Sequence, residues 1–343
     1  MQIQCPIETP QINKRIELSH GSGGRGMNRL LDVIRNQYLQ LSDGETAPHD
    51  SAVVFDGIAF TTDSYVVSPL FFPGGNIGDL AVNGTINDLA MSGAMPHYLS
   101  LSLIIEEGFL QDDLAKILTR IGDLAKQYQI KIVTGDTKVV GRGQADGLFI
   151  NTSGLGRIAT SYPISPKQIR PGDSIIISGD IGRHAIAIAL ARNELGFETE
   201  VESDTQAVHL TVQGLIAADI GIHCMRDLTR GGLGSCLHEL SRAAGCRMVI
   251  ENSAIPVNRN VRAVSEVLGM DPIFMANEGC FVCFVAADQS EAAVEIIRAS
   301  GHPLARIIGL VEERAQTHVE IVSEWGTRRI LAWPESDPLP RIC

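Results

Sequence analysis

Residues 83–94 read NGTINDLAMSGA, and the run before them, NIGDLAV at 76–82, continues the same pattern. Small and apolar side chains recur at helical spacing across 76–93, which predicts a buried helix. The chain on either side supplies partners for it. Residues 57–67 alternate like a strand, and a second strand is expected at 99–106. An amphipathic helix follows at 112–128, with Leu114, Ile117, Leu118, Ile121 and Leu124 on one face. Residues 131–134 read as a strand running into the turn-like GDT, and 148–158 as another strand.

Further out, three prolines in SYPISPKQIRPGD at 161–173 mark a boundary between two halves. The second half opens on a strand at 174–178 and a helix at 181–193. The glycine-rich DLTRGGL at 227–233 leads into a helix at 234–244, with later strands near 247–251, 280–285 and 306–311. Both halves have α/β character without a strict βαβ repeat. At the N-terminus, residues 1–15 read as a loose arm, and GSGGRG at 21–26 opens a helical pattern over 27 to about 41. At the other end, WPESDPLPRIC holds three prolines and is expected to be an extended, exposed tail.

The composition sets limits. A chain of 343 residues suggests two domains, and 44% hydrophobic with 20% charged residues is a globular balance. With 28 basic and 40 acidic side chains the formal charge is −12, which disfavours a nucleic-acid partner. Seven cysteines, irregularly spaced, read as a reduced cytoplasmic protein. The first residues lack a signal-peptide pattern, and no apolar run approaches the ~20 residues of a membrane span.

Several features point to chemistry. GSGGRG matches G-x-G-x-x-G, and three readings stay open: a dinucleotide loop, a plain glycine turn, or amides closing over a phosphate chain beside His20. Asp50, Asp63, Asp88, Asp136 and Asp227 lie in small, turn-like settings, and hard oxygen ligands of this kind suit Mg²⁺ held against phosphates. No G-x-x-x-x-G-K-[ST] sequence is present. Lys138, two residues after Asp136, is a candidate for charge neutralisation or, if desolvated, a base. Glu278, in the polar break Asn277–Glu278–Gly279, is a second candidate base. Cys280 and Cys283 form CxxC inside an apolar strand with no second pair, so buried core is the expectation. Cys343 ends the chain behind two prolines and Arg341, a setting that lowers the entropy lost on docking and offsets a thiolate.

Taken together, HGSGG at 20–24, TTDSYVVSPLFFPGGNIG at 61–78, NGTINDLAMSGA, VTGDTKVV at 133–140, DLTRGGL, ANEG at 276–279 and the terminal PRIC resemble the HypE family, the carbamoyl dehydratases of [NiFe]-hydrogenase maturation. The wider superfamily holds aminoimidazole ribonucleotide synthetase, selenophosphate synthetase and thiamine-monophosphate kinase. The resemblance runs from residue 16 to 343. It implies a PurM-like fold of two domains, 16–162 and 163–333, with an arm at 1–15 and a mobile tail at 334–343. It also implies a homodimer formed by the N-terminal domains through a shared β-barrel.

For the site, the resemblance implies ATP held by His20, Gly21, Ser22, Gly23, Gly24, Asp63, Asn87, Asp88, Thr137, Lys138, Arg230 and Gly231. Mg²⁺ would be held by Asp50, Asp63, Asp88, Asp136 and Asp227, with Cys343, Lys138, Glu278 and Asp88 catalytic. The implied reaction is ATP-dependent dehydration of a thiocarbamate on Cys343 to a thiocyanate, the base being Glu278 or Lys138. A HypF-like carbamoyltransferase would load the cysteine, and a HypC–HypD-like complex would take the cyanide. The tail would then need an outward and an inward position, with nucleotide favouring the second and a bend near 333–335. Two rivals stand beside this reading. One is an enzyme acting on a free small molecule, which has no need of Cys343. The other is a scaffold that binds ATP without hydrolysing it.

Overall fold

A computed structural model describes residues 15–35, 49–192, 199–313, 318–336, 339 and 341–343 of the protein. Helix α1 (Gly24–Val33) comes first. The first half then runs β1 (Ala52–Val53), β2 (Ile58–Tyr65), β3 (Phe71–Phe72), β4 (Gly75–Asn76), α2 (Ile77–Met91), β5 (Ala94–Glu106), α3 (Gln111–Gln127), β6 (Lys131–Val140) and β7 (Leu148–Ile158). Its main sheet has the order β1-β2-β7-β5-β6 and is antiparallel except for the parallel pair β5 and β6.

The second half runs β8 (Asp173–Ile177), α4 (Arg183–Ala191), α5 (His209–Ala217), β9 (Ile222–Asp227), α6 (Gly232–Ala244), β10 (Arg247–Glu251) and α7 (Arg259–Leu268). It continues through β11 (Phe281–Ala286), α8 (Ser290–Ala299), β12 (Arg306–Glu312), β13 (Val319–Val322) and β14 (Arg328–Ile330). Its seven-stranded sheet has the order β14-β13-β10-β12-β8-β11-β9.

Helix α2 is buried at every position except Asp88. It can be apolar all round because it packs on the first sheet and on α3, and also against α5 and β9 of the second half. Asn76 caps it, accepting from Gly78 N at 2.7 Å. Gly84 lets it approach β2 closely, since a Cβ there would stand 2.5 Å from the Tyr65 hydroxyl.

Several expectations change. Helix α1 begins at Gly24, three residues before the apolar pattern starts, because Gly23 adopts φ +83° and turns the chain into it. Its expected extension to 41, the end of the 181–193 helix, most of the 1–15 arm and Cys5 lie outside the described residues. GDT at 135–137 is not a turn. Strand β6 runs through it to Val140, paired with β5. Gly135 serves close approach instead, since a Cβ there would lie 2.1 Å from the Leu101 carbonyl oxygen. The tail is not exposed at its end either. Ile342 is 2% exposed and joins the core under the first sheet. Cys280 and Cys283 are buried and unpaired, as their apolar setting predicts.

Candidate active site

The α2 helix, strand β2, the segment before β1 and the end of β9 converge on one group of acids. Asp50, Asp88 and Asp227 each bring a carboxylate oxygen within 4.8 Å of the others. Thr61 Oγ1, on β2, lies 2.8 Å from both Asp88 Oδ2 and the Asp50 carbonyl oxygen, so its single hydroxyl proton serves one or the other and holds the two segments together. Arg226 binds Asp50 Oδ1 at 2.6 Å, and Asp50 Oδ2 is buried without a hydrogen-bond partner. Burial drives the Asp50, Asp63 and Asp88 carboxyls above the usual carboxylate range, with the neighbouring acids adding to it for Asp50 and Asp88. Asp227 is pushed to about 6, again by burial first. Arg226 opposes the shift at Asp50 and Asp227, and Arg230 opposes it at Asp63 and Asp227. Crowded hard oxygens, short of positive charge and with one oxygen unpartnered, fit a divalent cation such as Mg²⁺. Bound there, it would supply the charge that lets these acids ionise together.

Beside the cluster, the glycine loop 21–24 crosses the 230–232 loop with almost no gap. A Cβ on Gly23 would lie 3.0 Å from Gly231 N. His20 sits in this loop's own turn, its Nδ1 accepting from Glu17 N at 2.9 Å. The amides of Arg25 and Gly26, at the start of α1, donate to the carbonyls of Pro334 and Glu335 in the root of the tail.

The tail then enters the space in front of the loop. Val66 N donates to the Cys343 carbonyl at 3.1 Å and Ser68 N to the Arg341 carbonyl at 3.3 Å. His184, fully buried, meets the Ile342 carbonyl through Nε2 at 2.5 Å, and Arg192 donates to the Arg341 carbonyl at 3.0 Å. Arg341 reaches Asp146 at 2.7 Å. Cys343 is thereby held at a cavity of about 190 Å³ that Gly21, Ser22, Ser64 and Arg230 also line. Arg230 is the link between the two regions. Its guanidinium is held charged first by negative charge at Cys343, then by Asp63, Glu278 and Asp88.

Glu278 is 3% exposed, and its Oε1 is buried with no partner. Burial, then Asp227, Asp204 and Asp63, push its carboxyl well up, against Arg230. Asp204 accepts from Glu278 N at 3.1 Å and Gly279 N at 3.0 Å, and Asn277 receives Gly182 N at 2.7 Å. Asn87 donates to the carbonyls of Glu278 at 3.4 Å and Gln206 at 3.0 Å and accepts from Val208 N at 2.8 Å, tying α2 to this loop and to the 206–208 segment.

Three sequence candidates, Asp136, Thr137 and Lys138, do not join this group within the chain. Asp136 and Lys138 pair with each other at 2.8 Å on exposed β6, and Thr137 N donates to Asp136. The register Ser64–Asn151–Ser102–Asp136 puts Asp136 on the outer face of the sheet, whereas Asp63, one residue before Ser64, points inward. Arg226, Asp204, His184 and Arg192 escaped the sequence reading. Arg226 had one signal, its place next to Asp227. For the other three no local pattern marks them, because their partners are distant in the chain.

Residues 48–158 match the family described as AIR synthase related protein, N-terminal domain, and residues 170–322 its C-terminal domain. Carbamoyl dehydratase HypE of Azotobacter vinelandii is 43% identical over 339 residues, covering 96% of this chain and 98% of its own. The HypE of Escherichia coli K12 is 41% identical over 339 residues, covering 96% and 99%. A crystal structure of HypE in complex with ATP superposes with a TM-score of 0.81 at 38% identity, covering 96% of this chain and all of that one. A HypE–HypF complex gives 0.84 at 40% identity over 91% of this chain and all of that one. Thiamine monophosphate kinase of Aquifex aeolicus, at 17% identity and a TM-score of 0.64 over 88% and 97%, shares the fold. Matches of this identity over nearly the whole chain, with both family halves in order around one acid cluster, make this chain a member of the AIR synthase related family and, within it, of the HypE carbamoyl dehydratases of hydrogenase maturation.

Proposed function

We propose that the chain uses ATP to dehydrate a carbamoyl group carried on Cys343 Sγ, turning an S-thiocarbamate into an S-thiocyanate. The observation that carries this reading is the inward tail, which sets Cys343 beside Arg230 at the cavity mouth. The γ-phosphoryl passes from ATP to the carbamoyl oxygen, releasing ADP, while nitrogen loses one proton and a C=N bond forms. Loss of the second nitrogen proton expels phosphate and leaves S–C≡N. An oxygen that leaves poorly is thus exchanged for one that leaves as phosphate, and the protein's work is positioning and charge neutralisation.

Asp50, Asp63, Asp88 and Asp227 would hold Mg²⁺, and the 20–24 loop with Arg230 and Gly231 would face the phosphates. Glu278 is the preferred base, because its unpartnered Oε1 and raised pKa sit on the Arg230 side, whereas Lys138 is exposed on β6. Asp136, Thr137 and Lys138 would serve the site of a second copy, reached when the outer faces of two first sheets close into a shared barrel. Apolar side chains exposed on that face, Phe60, Tyr98, Ile104 and Leu155, support such a dimer. In this reading 16–162 and 163–333 act as two domains. A HypF-like carbamoyltransferase loads the tail (334–343) in an outward position, and a HypC–HypD-like complex accepts the cyanide for iron. No described helix is long and apolar enough to cross a membrane.

The mass of the C-terminal peptide tests the reaction. It should gain a carbamoyl group with a HypF-type donor system and then lose one water on addition of Mg·ATP. Undiminished substrate conversion by Cys343→Ala would overturn it.

A further inference from the structure

A continuous chain of polar contacts runs from the acid cluster to the root of the tail. Arg226 Nε binds Asp50 Oδ1 at 2.6 Å, and Arg226 Nη2 binds Glu239 Oε2 at 3.0 Å. Glu239 Oε1 accepts from Asn28 Nδ2 at 2.9 Å, and the same Nδ2 donates to the Gly24 carbonyl at 3.0 Å. The next two residues, Arg25 and Gly26, hold Pro334 and Glu335 through their amides at 3.0 and 2.9 Å. Arg25 and Arg29 add ion pairs to Glu335 at 2.8 and 2.5 Å. Contact at Gly24 is tight, with φ +75° and a Cβ position 2.7 Å from the Pro334 carbonyl oxygen. Neither Glu239 nor Asn28 lines the cavity that Cys343 borders.

We propose that Glu239 is a positioning residue that, with Asn28, makes the grip on the tail root depend on what occupies the Asp50–Asp88–Asp227 cluster. The proposal rests on the function given above. The physical route is short. A cation on the unpartnered Oδ2 of Asp50 competes with Arg226 for that carboxylate's charge. The guanidinium then leans on Glu239, which its Nη2 already binds, and steadies the Glu239–Asn28–Gly24 link. A steadier first turn of α1 presents the Arg25 and Gly26 amides to Pro334 and Glu335 in better register. The tail root, and with it the inward tail, is held more firmly when the cation is bound. Glu239 touches neither metal nor nucleotide in this account. It acts by joining α6 to α1.

The test is hydrogen exchange at the Arg25 and Gly26 amides of the full chain, with and without Mg²⁺ and Mg·ATP, beside calorimetric binding of both. In the wild type, Mg²⁺ should slow exchange about 10-fold. In Glu239→Gln and in Asn28→Ala the slowing should shrink to less than about 2-fold while Mg·ATP still binds, and the double variant should add nothing further. Arg242→Ala is the control. Arg242 contacts Asp32 across the same helix pair at 3.5 Å but lies outside the chain of contacts, so the response should persist. The proposal falls if wild type binds Mg²⁺ without any change at these amides. It falls equally if Glu239→Gln keeps the full response, or if Arg242→Ala loses as much. Should Glu239→Gln fail to fold, Asn28→Ala decides. Absence of Mg·ATP binding in wild type would instead bring down the functional reading itself.

Discussion

Glu278 sits where burial and its acidic neighbours Asp227, Asp204 and Asp63 favour the neutral acid while Arg230 favours the anion. A base must be ionised to take a proton, so a raised pKa moves the acid limb of activity upward. Single-turnover thiocyanate formation should therefore fall as pH is lowered through a value above the usual carboxylate range. Glu278→Gln keeps the shape and removes the base, and should slow that step by about 10²–10⁴-fold with nucleotide binding retained. A normal rate in that variant, combined with loss in Lys138→Ala, would move the base to Lys138. At this scale the sequence was informative where the chemistry is local. Asp50, Asp63, Asp88, Asp227 and Glu278 each stood out by residue type and setting. His184 did not. Its role, a buried contact to the Ile342 carbonyl, joins residues 158 positions apart, and no window of sequence displays that.

Among the elements, α2 and β6 give opposite lessons. Helix α2 was legible because its small and apolar residues repeat with helical period and must be covered on all sides. Strand β6 was cut short in the sequence reading, because Gly135–Asp136 has the composition of a turn. The strand continues because β5 pairs with it through Glu106, and glycine at 135 is what permits the approach to the Leu101 carbonyl. Gly135→Ala should accordingly part these strands and lower stability in urea by about 2 kcal/mol or more. Gly141→Ala has room, its nearest neighbour being 3.6 Å from the added Cβ, and should stay within about 0.5 kcal/mol. Equal stabilities would return residue 135 to a turn role.

For the whole molecule, the outer face of the first sheet has one consequence. Tyr98 is 44% exposed, and Ile104, Phe60 and Leu155 are also open to solvent. A face of this kind on a folded chain is expected to be covered. A second copy is the proposed cover, and it would bring Asp136 and Lys138 to a site that their own chain denies them. Sedimentation should show a dimer for the native protein and a monomer for Ile104→Asp with Tyr98→Lys. A native monomer would remove the dimer and leave Asp136 and Lys138 without a route to nucleotide.

The sequence by itself determined the family, the buried helix at the centre, the acids beside glycine turns and the cysteine at the end, because each is a property of residue type and short spacing. Only the tertiary structure decided which acids meet, that Asp136 and Lys138 face away from them, and that the tail lies inward against Val66, His184 and Arg230. The physical reason is that side-chain direction along a strand and closure between distant segments depend on register and packing, which arise only once the two sheets have assembled around α2.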